Sequence, residues 1–285
     1  IVIIKNYYEN SKIKRNFYDL KTICVGNIYI GGTGKTPLVN NLANYFKKKY
    51  RTYIIKKNYS SHLDEKKLLE SKHKVIFEKT RELSIAKAEV EKAEMLIFDD
   101  GLQEKKINYD LKIVCFNSLK LDGNGLIIPA GPLREKLSSI KNYDIALING
   151  DLYKKSKNFI NKIKRINSKI KIFTGKYVPI NYSKLKRKKF IIFSGIGNPH
   201  TFSDTLKSLK IKFSLYEKFP DHYSYKESDL QKLKNLAKNN NCELLTTEKD
   251  YFRIKKSLRK NINFLKVELS VDQEKQFYKY LNERL

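Results

Sequence analysis

The chain has 285 residues, with 59 Lys and Arg against 30 Asp and Glu, a formal net charge of +29. At 41% hydrophobic and 12% aromatic it can bury real cores, which excludes a disordered basic tail. No apolar run approaches the ~18–20 residues that a membrane-spanning helix needs, and Ile1-Val2-Ile3-Ile4 turns polar at Lys5 without the pattern of a signal peptide.

Short apolar runs recur along the chain, separated by polar stretches of helical period. They predict strands at Thr22–Val25, Tyr53–Ile55, Val75–Phe77, Leu96–Phe98, Ile113–Phe116, Ile145–Ile148 and Ile170–Phe173. A second set follows at Phe190–Phe193, Ile211–Tyr216, Glu243–Thr246 and Phe264–Val267. Most are rich in Ile and Val without clean alternation, as strands covered on both faces are. Leu38, Val39, Leu42, Ala43 and Phe46 form one helical stripe between them. Leu230, Leu233, Leu236 and Ala237 form another, with Ser228 as its expected N-cap. Strand–helix alternation of this kind predicts an α/β fold built on a parallel sheet. A boundary is expected near residues 173–189, where Thr174-Gly175-Lys176 leads to Pro179 and the basic run from Lys184 to Lys189. That gives a first domain over 1–173 and a smaller α/β domain over 174–285.

Only nine of the 59 basic residues are Arg, whereas a phosphate-reading surface favours the Arg fork. The excess reads mainly as solvated Lys faces, with attraction to an anionic surface, nucleic acid or acidic lipid, as the other reading. Cys24, Cys115 and Cys242 share no CxxC spacing and fit a reducing cytosol. With His62, His73, His200 and His222 equally scattered, a zinc site is not expected.

The chemistry concentrates after the first strand. Ile23-Cys24-Val25 runs into Gly26-Asn27-Ile28-Tyr29-Ile30-Gly31-Gly32-Thr33-Gly34-Lys35-Thr36-Pro37 and then the first helical stripe. Strand, Gly-rich turn, Lys-Thr and helix form the context of a phosphate loop. Successive backbone N–H groups and the helix N-terminus can line a phosphate. Lys35 would reach the β- and γ-phosphates and Thr36 would hold Mg²⁺. Pro37 is tolerated because the first helical turn leaves its N–H position unpaired in any case. The strict pattern wants Gly five residues before Gly34, where Tyr29 stands. Further on, Met95-Leu96-Ile97-Phe98 ends in Asp99-Asp100-Gly101, and an acidic strand end is where such folds place the Mg²⁺ carboxylate. Nucleoside triphosphate binding with Mg²⁺ follows, without a stated phosphate acceptor.

These motifs together resemble the tetraacyldisaccharide 4′-kinase (lipid A 4′-kinase) family of Gram-negative bacteria. The resemblance rests on the phosphate loop, Asp99-Asp100-Gly101-Leu102-Gln103, Gly123-Asn124-Gly125 and Pro129-Ala130-Gly131-Pro132-Leu133-Arg134-Glu135. It continues through Ser194-Gly195-Ile196-Gly197-Asn198-Pro199, Phe219-Pro220-Asp221-His222 and Thr247-Glu248-Lys249-Asp250. The missing first Gly of the loop is itself a feature of that family. The resemblance implies a P-loop NTPase-like domain plus a smaller α/β domain, with the active site in the cleft between them. It implies transfer of the ATP γ-phosphate to the 4′-hydroxyl of tetraacyldisaccharide 1-phosphate. It also implies a peripheral enzyme at the cytoplasmic face of the inner membrane. Tyr29, Ile30, Gly31, Gly32, Thr33, Gly34, Lys35 and Thr36 would form the ATP loop. Thr36, Asp99 and Asp100 would serve Mg²⁺, Arg134 would neutralise charge on the transferred group, and Glu135 would support the metal or Arg134. Gln103 would orient groups near the metal. Asp64 in Leu63-Asp64-Glu65 would be the base for the acceptor hydroxyl, assisted by His222. On the residues alone, Asp64 reads as a helix-start acid, His222 as a turn histidine and Arg134-Glu135 as a surface pair.

The departures are local. Lys56-Lys57-Asn58-Tyr59-Ser60 stands where the family has an Arg-Gly-Tyr-Gly motif, Leu63 replaces the Gly before the base, and Glu104 replaces a common His. The chain lacks an initiating Met, and residues 1–19 are expected to be the tail of the family's N-terminal helices. Two other readings stay open on the residues. A P-loop ATPase or GTPase switch or metallochaperone would hydrolyse nucleotide without a lipid acceptor. A nucleic-acid-binding protein would use the charge, although no recognisable signature accompanies the 19 Tyr and 15 Phe. The partners expected are therefore the lipid A disaccharide 1-phosphate and an anionic membrane surface, with no nucleic acid and no obligate protein partner.

Overall fold

In the computed structural model, residues 20–30, 33–57, 68–197 and 199–285 are described. The first apolar run forms β1 (Lys21–Gly26), which passes through the phosphate-loop segment into α1 (Lys35–Phe46). The chain then builds β2 (Thr52–Lys57), β3 (Val75–Glu78), α2 (Arg81–Val90), β4 (Met95–Asp99) and β5 (Leu111–Asn117). A 3₁₀ turn at Leu137–Asn142 precedes β6 (Ile145–Asn149), α3 (Lys154–Ile166) and β7 (Lys171–Pro179).

These strands lie in an eight-stranded sheet of order β12-β7-β6-β5-β1-β4-β2-β3, where β12 is Val267–Val271. From β3 through β7 every pairing is parallel. β1 lies between β4 and β5: the chain leaves it toward one edge, returns, and then builds toward the other edge. Such a switch opens a crevice at the carboxyl ends of the strands, where ligands bind in open α/β sheets. Val25 is paired with Asp99, and Asp99 with Lys56, so three strand ends finish at one level.

Burial explains the unalternated strands. Ile23, Cys24 and Val25 are all inaccessible, as are Leu96, Ile97 and Phe98. Cys24, Leu96, Phe98, Val114, Phe116 and Ile148 join one core cluster, while their neighbours in sequence are buried on the opposite side. The predicted stripe on α1 is the buried one: Leu38, Val39, Leu42, Ala43 and Phe46. Burial pushes the Cys24 and Cys115 thiols up to about 12, which makes them inert core residues.

A second sheet of four strands has the order β11-β10-β8-β9, all parallel. Its strands are β8 (Lys189–Ser194), β9 (Lys212–Lys218), β10 (Glu243–Thr247) and β11 (Ile262–Leu265). The short α4 (Tyr182–Leu185) precedes them, α5 (Pro199–Ser208), α6 (Glu227–Asn239) and α7 (Glu248–Arg253) run between them, and α8 (Glu274–Arg284) ends the chain. Phe190 and Ile192 face one core cluster and Ile191 and Phe193 another, so this sheet is also covered on both sides. The cap of α6 differs from expectation. Ser228 lies inside the helix, and the carboxylate of Asp229 instead accepts the Lys226 N–H at 3.0 Å and the Tyr223 hydroxyl at 3.0 Å.

The chain divides into two compact units. One takes β1, α1 and β2 with His73–Tyr177 and Leu269–Leu285; the other takes Val178–Glu268 and, of the described residues, 68–72. The division expected at 1–173 and 174–285 therefore differs at residues 68–72 and at the tail. The run expected as one strand over Phe264–Val267 is two strands, β11 and β12, in different sheets. β12 lies beside β7, the Asn41 amide donates to the Leu269 carbonyl, and Phe277 of α8 packs edge-on against Phe173 at 5.0 Å. Those contacts hold the last strand and helix on the first unit.

Candidate active site

The phosphate loop is held by polar side chains from two strand ends. Gly34 sits at φ +91°, a left-handed conformation that favours glycine, and a Cβ there would lie 2.0 Å from Asn149 Nδ2. Asn149 closes β6, is buried, and donates through Nδ2 to the Thr33 carbonyl at 2.5 Å. From the end of β1, Asn27 donates to the Tyr29 carbonyl at 2.5 Å and to Thr33 Oγ1 at 3.0 Å. Gly31 and Gly32 lie outside the described residues.

A second segment runs alongside the loop. The Ile30 N–H donates to the Pro132 carbonyl at 2.9 Å, and the Arg134 N–H to the Ile28 carbonyl at 2.7 Å. Tyr29 and Leu133 form an isolated antiparallel bridge. This backbone pairing delivers Arg134 to the strand ends, although it is remote in sequence from the loop.

The cations converge on Asp100. Arg134 Nη1 lies 2.8 and 3.0 Å from its two carboxylate oxygens, and Lys35 Nζ lies 3.6 Å from Oδ1. Burial by itself would raise the Asp100 carboxyl; Lys35 and then Arg134 outweigh it, so the group lies below its ordinary range. Arg134 also reaches Gln103 Oε1 at 3.4 Å, and Gln103 donates to the Asn27 carbonyl at 3.0 Å. Asp100 itself is in the left-handed region at φ +61°. Its N–H donates to the Val25 carbonyl at 2.8 Å, and its carbonyl accepts from Arg81 Nη2 at 2.6 Å.

Asp99 faces a different set. Its Oδ2 accepts from Lys56 Nζ at 2.7 Å and from Thr36 Oγ1 at 3.4 Å, while Oδ1 is buried with no hydrogen-bond partner among the described residues. A hydroxyl and a carboxylate with an unused oxygen are hard donors of the kind Mg²⁺ takes together with phosphate oxygens and water. The residues present fit that ion.

Comparison with known proteins gives the family. A family model described as tetraacyldisaccharide-1-P 4′-kinase matches residues 1–75 and 63–285. The chain is 43% identical over 277 residues to the tetraacyldisaccharide 4′-kinase of Pelagibacter ubique, covering 95% of this chain and 84% of that protein. It is 37% identical over 276 residues to the enzyme of the same name from Rickettsia canadensis, covering 88% and 81%. The chain belongs to the tetraacyldisaccharide-1-P 4′-kinase family. It is an ATP-dependent kinase. Its fold matches the crystal structure of LpxK from Aquifex aeolicus in complex with ATP, with a TM-score of 0.75 at 23% identity, covering 99% of this chain and 94% of that one.

The remaining expected residues of this kinase fall in different surroundings. Glu135 is buried, with one carboxylate oxygen accepting from the Tyr143 hydroxyl at 2.7 Å and the other without a hydrogen-bond partner among the described residues. It is thus set against Tyr143 rather than in the Asp100 cluster. Burial and then the Glu135 charge push the Tyr143 hydroxyl well above its ordinary range, which keeps it a donor. Asp64 lies outside the described residues. His222 follows β9 in the second unit at φ +59°, and its N–H donates to the Gly195 carbonyl at 3.2 Å.

Sequence reasoning missed three residues of the first unit. Lys56 is a buried partner of Asp99, Arg81 grips the Asp100 backbone, and Asn149 holds the loop. Each reads as an ordinary polar residue at the edge of an apolar run. Only the pairing of β2 with β4, and of β6 with β5, brings Lys56 and Asn149 to the strand ends that matter.

Proposed function

We propose that Lys35, Thr36, Asp99, Asp100 and Arg134 are the phosphoryl-transfer site of a lipid A 4′-kinase. The reaction is transfer of the ATP γ-phosphate to the 4′-hydroxyl of tetraacyldisaccharide 1-phosphate. The observation that carries the assignment is the convergence of Lys35 and Arg134 on Asp100 beside the Thr36–Asp99 pair. Residues Tyr29 to Thr36 form the ATP loop, with Lys35 on the phosphates. An anionic group entering the crevice would compete with Asp100 for the two cations that rest on it. Catalysis of phosphoryl transfer depends mainly on such positioning and charge stabilisation. Thr36, Asp99 and Asp100 would hold Mg²⁺, which when bound neutralises charge on the phosphate oxygens. Lys56 pairs with Asp99 at 2.7 Å and holds its carboxylate at the end of β4.

Asp64 as the base for the acceptor hydroxyl and His222 as its partner rest on the family resemblance. A carboxylate hydrogen-bonded to an imidazole is a suitable pair for that proton. Peripheral attachment to the anionic cytoplasmic face of the inner membrane is supported by the +29 charge. Among the described residues, no helix is long and apolar enough to cross a membrane. The family match does not favour a switch or metallochaperone without a lipid acceptor.

The test is a labelled-phosphate assay with the purified protein, γ-labelled ATP, Mg²⁺ and the disaccharide 1-phosphate in mixed micelles. Labelled lipid is the expected product. A folded, ATP-binding preparation that yields none overturns the reading.

A further inference from the structure

The charged groups beside the phosphate loop all lie toward one flank of β1. Asp99 ends β4, Asp100 follows it, and Lys35 and Arg134 rest on Asp100. β4 adjoins β1 on that flank, while β5, β6 and β7 follow in order on the other. A nucleoside triphosphate whose γ-phosphate meets the cations therefore carries its sugar and base toward the opposite flank, over the ends of β5, β6 and β7.

The strand ends there are level, with Asn117, Asn149 and Gly175 in register across the three strands. Tyr177, two residues beyond Gly175, lies on the same face as Asn149, the residue that holds the loop. Its hydroxyl reaches the start of α1: a Cβ on Gly34 would lie 2.8 Å from that oxygen and 2.0 Å from Asn149 Nδ2. Tyr177 is nevertheless 46% exposed. The polar tip is set against the phosphate loop while much of the side chain stays open to a ligand. Between β6 and α3 the loop from Gly150 to Tyr153 is pinned at both ends. The Gly150 N–H donates to the Gly175 carbonyl at 2.8 Å. The Tyr153 N–H donates to Ser156 Oγ at 3.3 Å, and the buried Ser156 hydroxyl donates to the Ser118 carbonyl at 3.1 Å. Leu152, held within that loop, is 40% exposed. Apolar side chains on fixed backbone beside a few placed polar groups are what a small-molecule site is built from.

We propose that Tyr177 and Leu152 form the nucleoside subsite, with the base of ATP stacked on the Tyr177 ring and resting against Leu152 past the end of β6. The proposal rests on the reading of Tyr29 to Thr36 as the ATP loop and says where the rest of the nucleotide goes. Stacking reads the flat face of a base, which every base has, so the subsite takes guanine as well as adenine. Contacts this far from the reacting phosphate bind ground state and transition state alike, and so act on KM rather than on kcat.

The test is titration calorimetry of the full chain, with Mg²⁺, against ATP, GTP and inorganic tripolyphosphate, which keeps the phosphates and lacks the nucleoside. Tyr177→Ala should weaken both nucleotides about 10-fold, the scale of a lost stacking partner, and leave tripolyphosphate unchanged. Tyr177→Phe should keep nucleotide affinity, and KM for ATP in Tyr177→Ala should rise by the same factor with kcat close to that of the wild type. A folded Tyr177→Ala that weakens ATP and tripolyphosphate equally, or neither, overturns the inference. A second measurement needs no variant: photolabelling of the wild type with ATP carrying an azido group on the adenine should mark the peptides of Leu152 or Tyr177. A label confined to other peptides overturns the inference even if the variants fail to fold. Lys35→Ala separates the two readings, since it should weaken all three ligands. If it weakens none, the phosphate-loop reading falls and the subsite with it; if it weakens all and the label lies elsewhere, the subsite alone falls.

Discussion

Each unit places an aspartate beside an arginine just past the end of a parallel strand, and the two pairs are built for different work. Asp250 is wholly buried and its Arg253 partner nearly so, with the carboxylate saturated by four donors from three loops. Asp100 and Arg134 are each more than a quarter exposed, and Lys35 stands at a looser 3.6 Å. A saturated, dry pair cannot exchange partners without leaving a buried charge uncompensated. A partly wet pair can release its cations to an incoming anion at little cost. The first arrangement fixes loops; the second is set to receive a ligand.

The comparison can be broken by removing one partner from each pair. Asp250→Ala should cost about 3–5 kcal/mol of stability, because it strands the Arg253 charge and unpins Gly195; denaturant unfolding measures it. Arg134→Ala should lower turnover about 10²–10³-fold, while its melting temperature stays close to that of the wild type. Equal destabilisation by the two variants would erase the distinction. Asn149→Ala should weaken ATP binding by about 1–3 kcal/mol, seen by calorimetric titration. It frees the Thr33 carbonyl and leaves Lys35 and Arg134 in place, so turnover at saturating ATP should change less.

The smallest effect concerns pH. The Asp100 carboxyl is depressed in the folded chain, so its contribution to stability is present above the ordinary carboxylate range and is lost as pH falls through the folded value. Removing Lys35 or Arg134 should raise the folded value and so take away part of that contribution. The small gap in melting temperature between wild type and Arg134→Ala at neutral pH should close as the pH falls through the folded value of Asp100. Parallel curves would show that neither cation depresses the group.

Much of the first unit is legible in one dimension. Apolar runs of Ile and Val locate its strands because a parallel sheet buries both faces, and the stripe from Leu38 to Phe46 locates α1. The Gly-Lys-Thr turn and Asp99-Asp100 carry their chemistry in adjacent residues. Arg134 is harder to place: its motif marks it, but only backbone pairing of its segment with Ile28 and Ile30 brings it to Asp100.

The sequence by itself determined the α/β class, the phosphate loop, the acidic strand end and the family. All four are written in local order, through apolar runs, turn residues and short motifs. Tertiary structure alone decided that Lys56 faces Asp99, that Asn149 holds the loop, and that Asp250 gathers the loops after β8 and β9. It also returned the last strand and helix to the first unit, splitting a single apolar run between two sheets. These are contacts between residues remote in the chain. They depend on strand order and on which donors remain to satisfy buried carboxylates, and neither is encoded in the spacing of neighbouring residues.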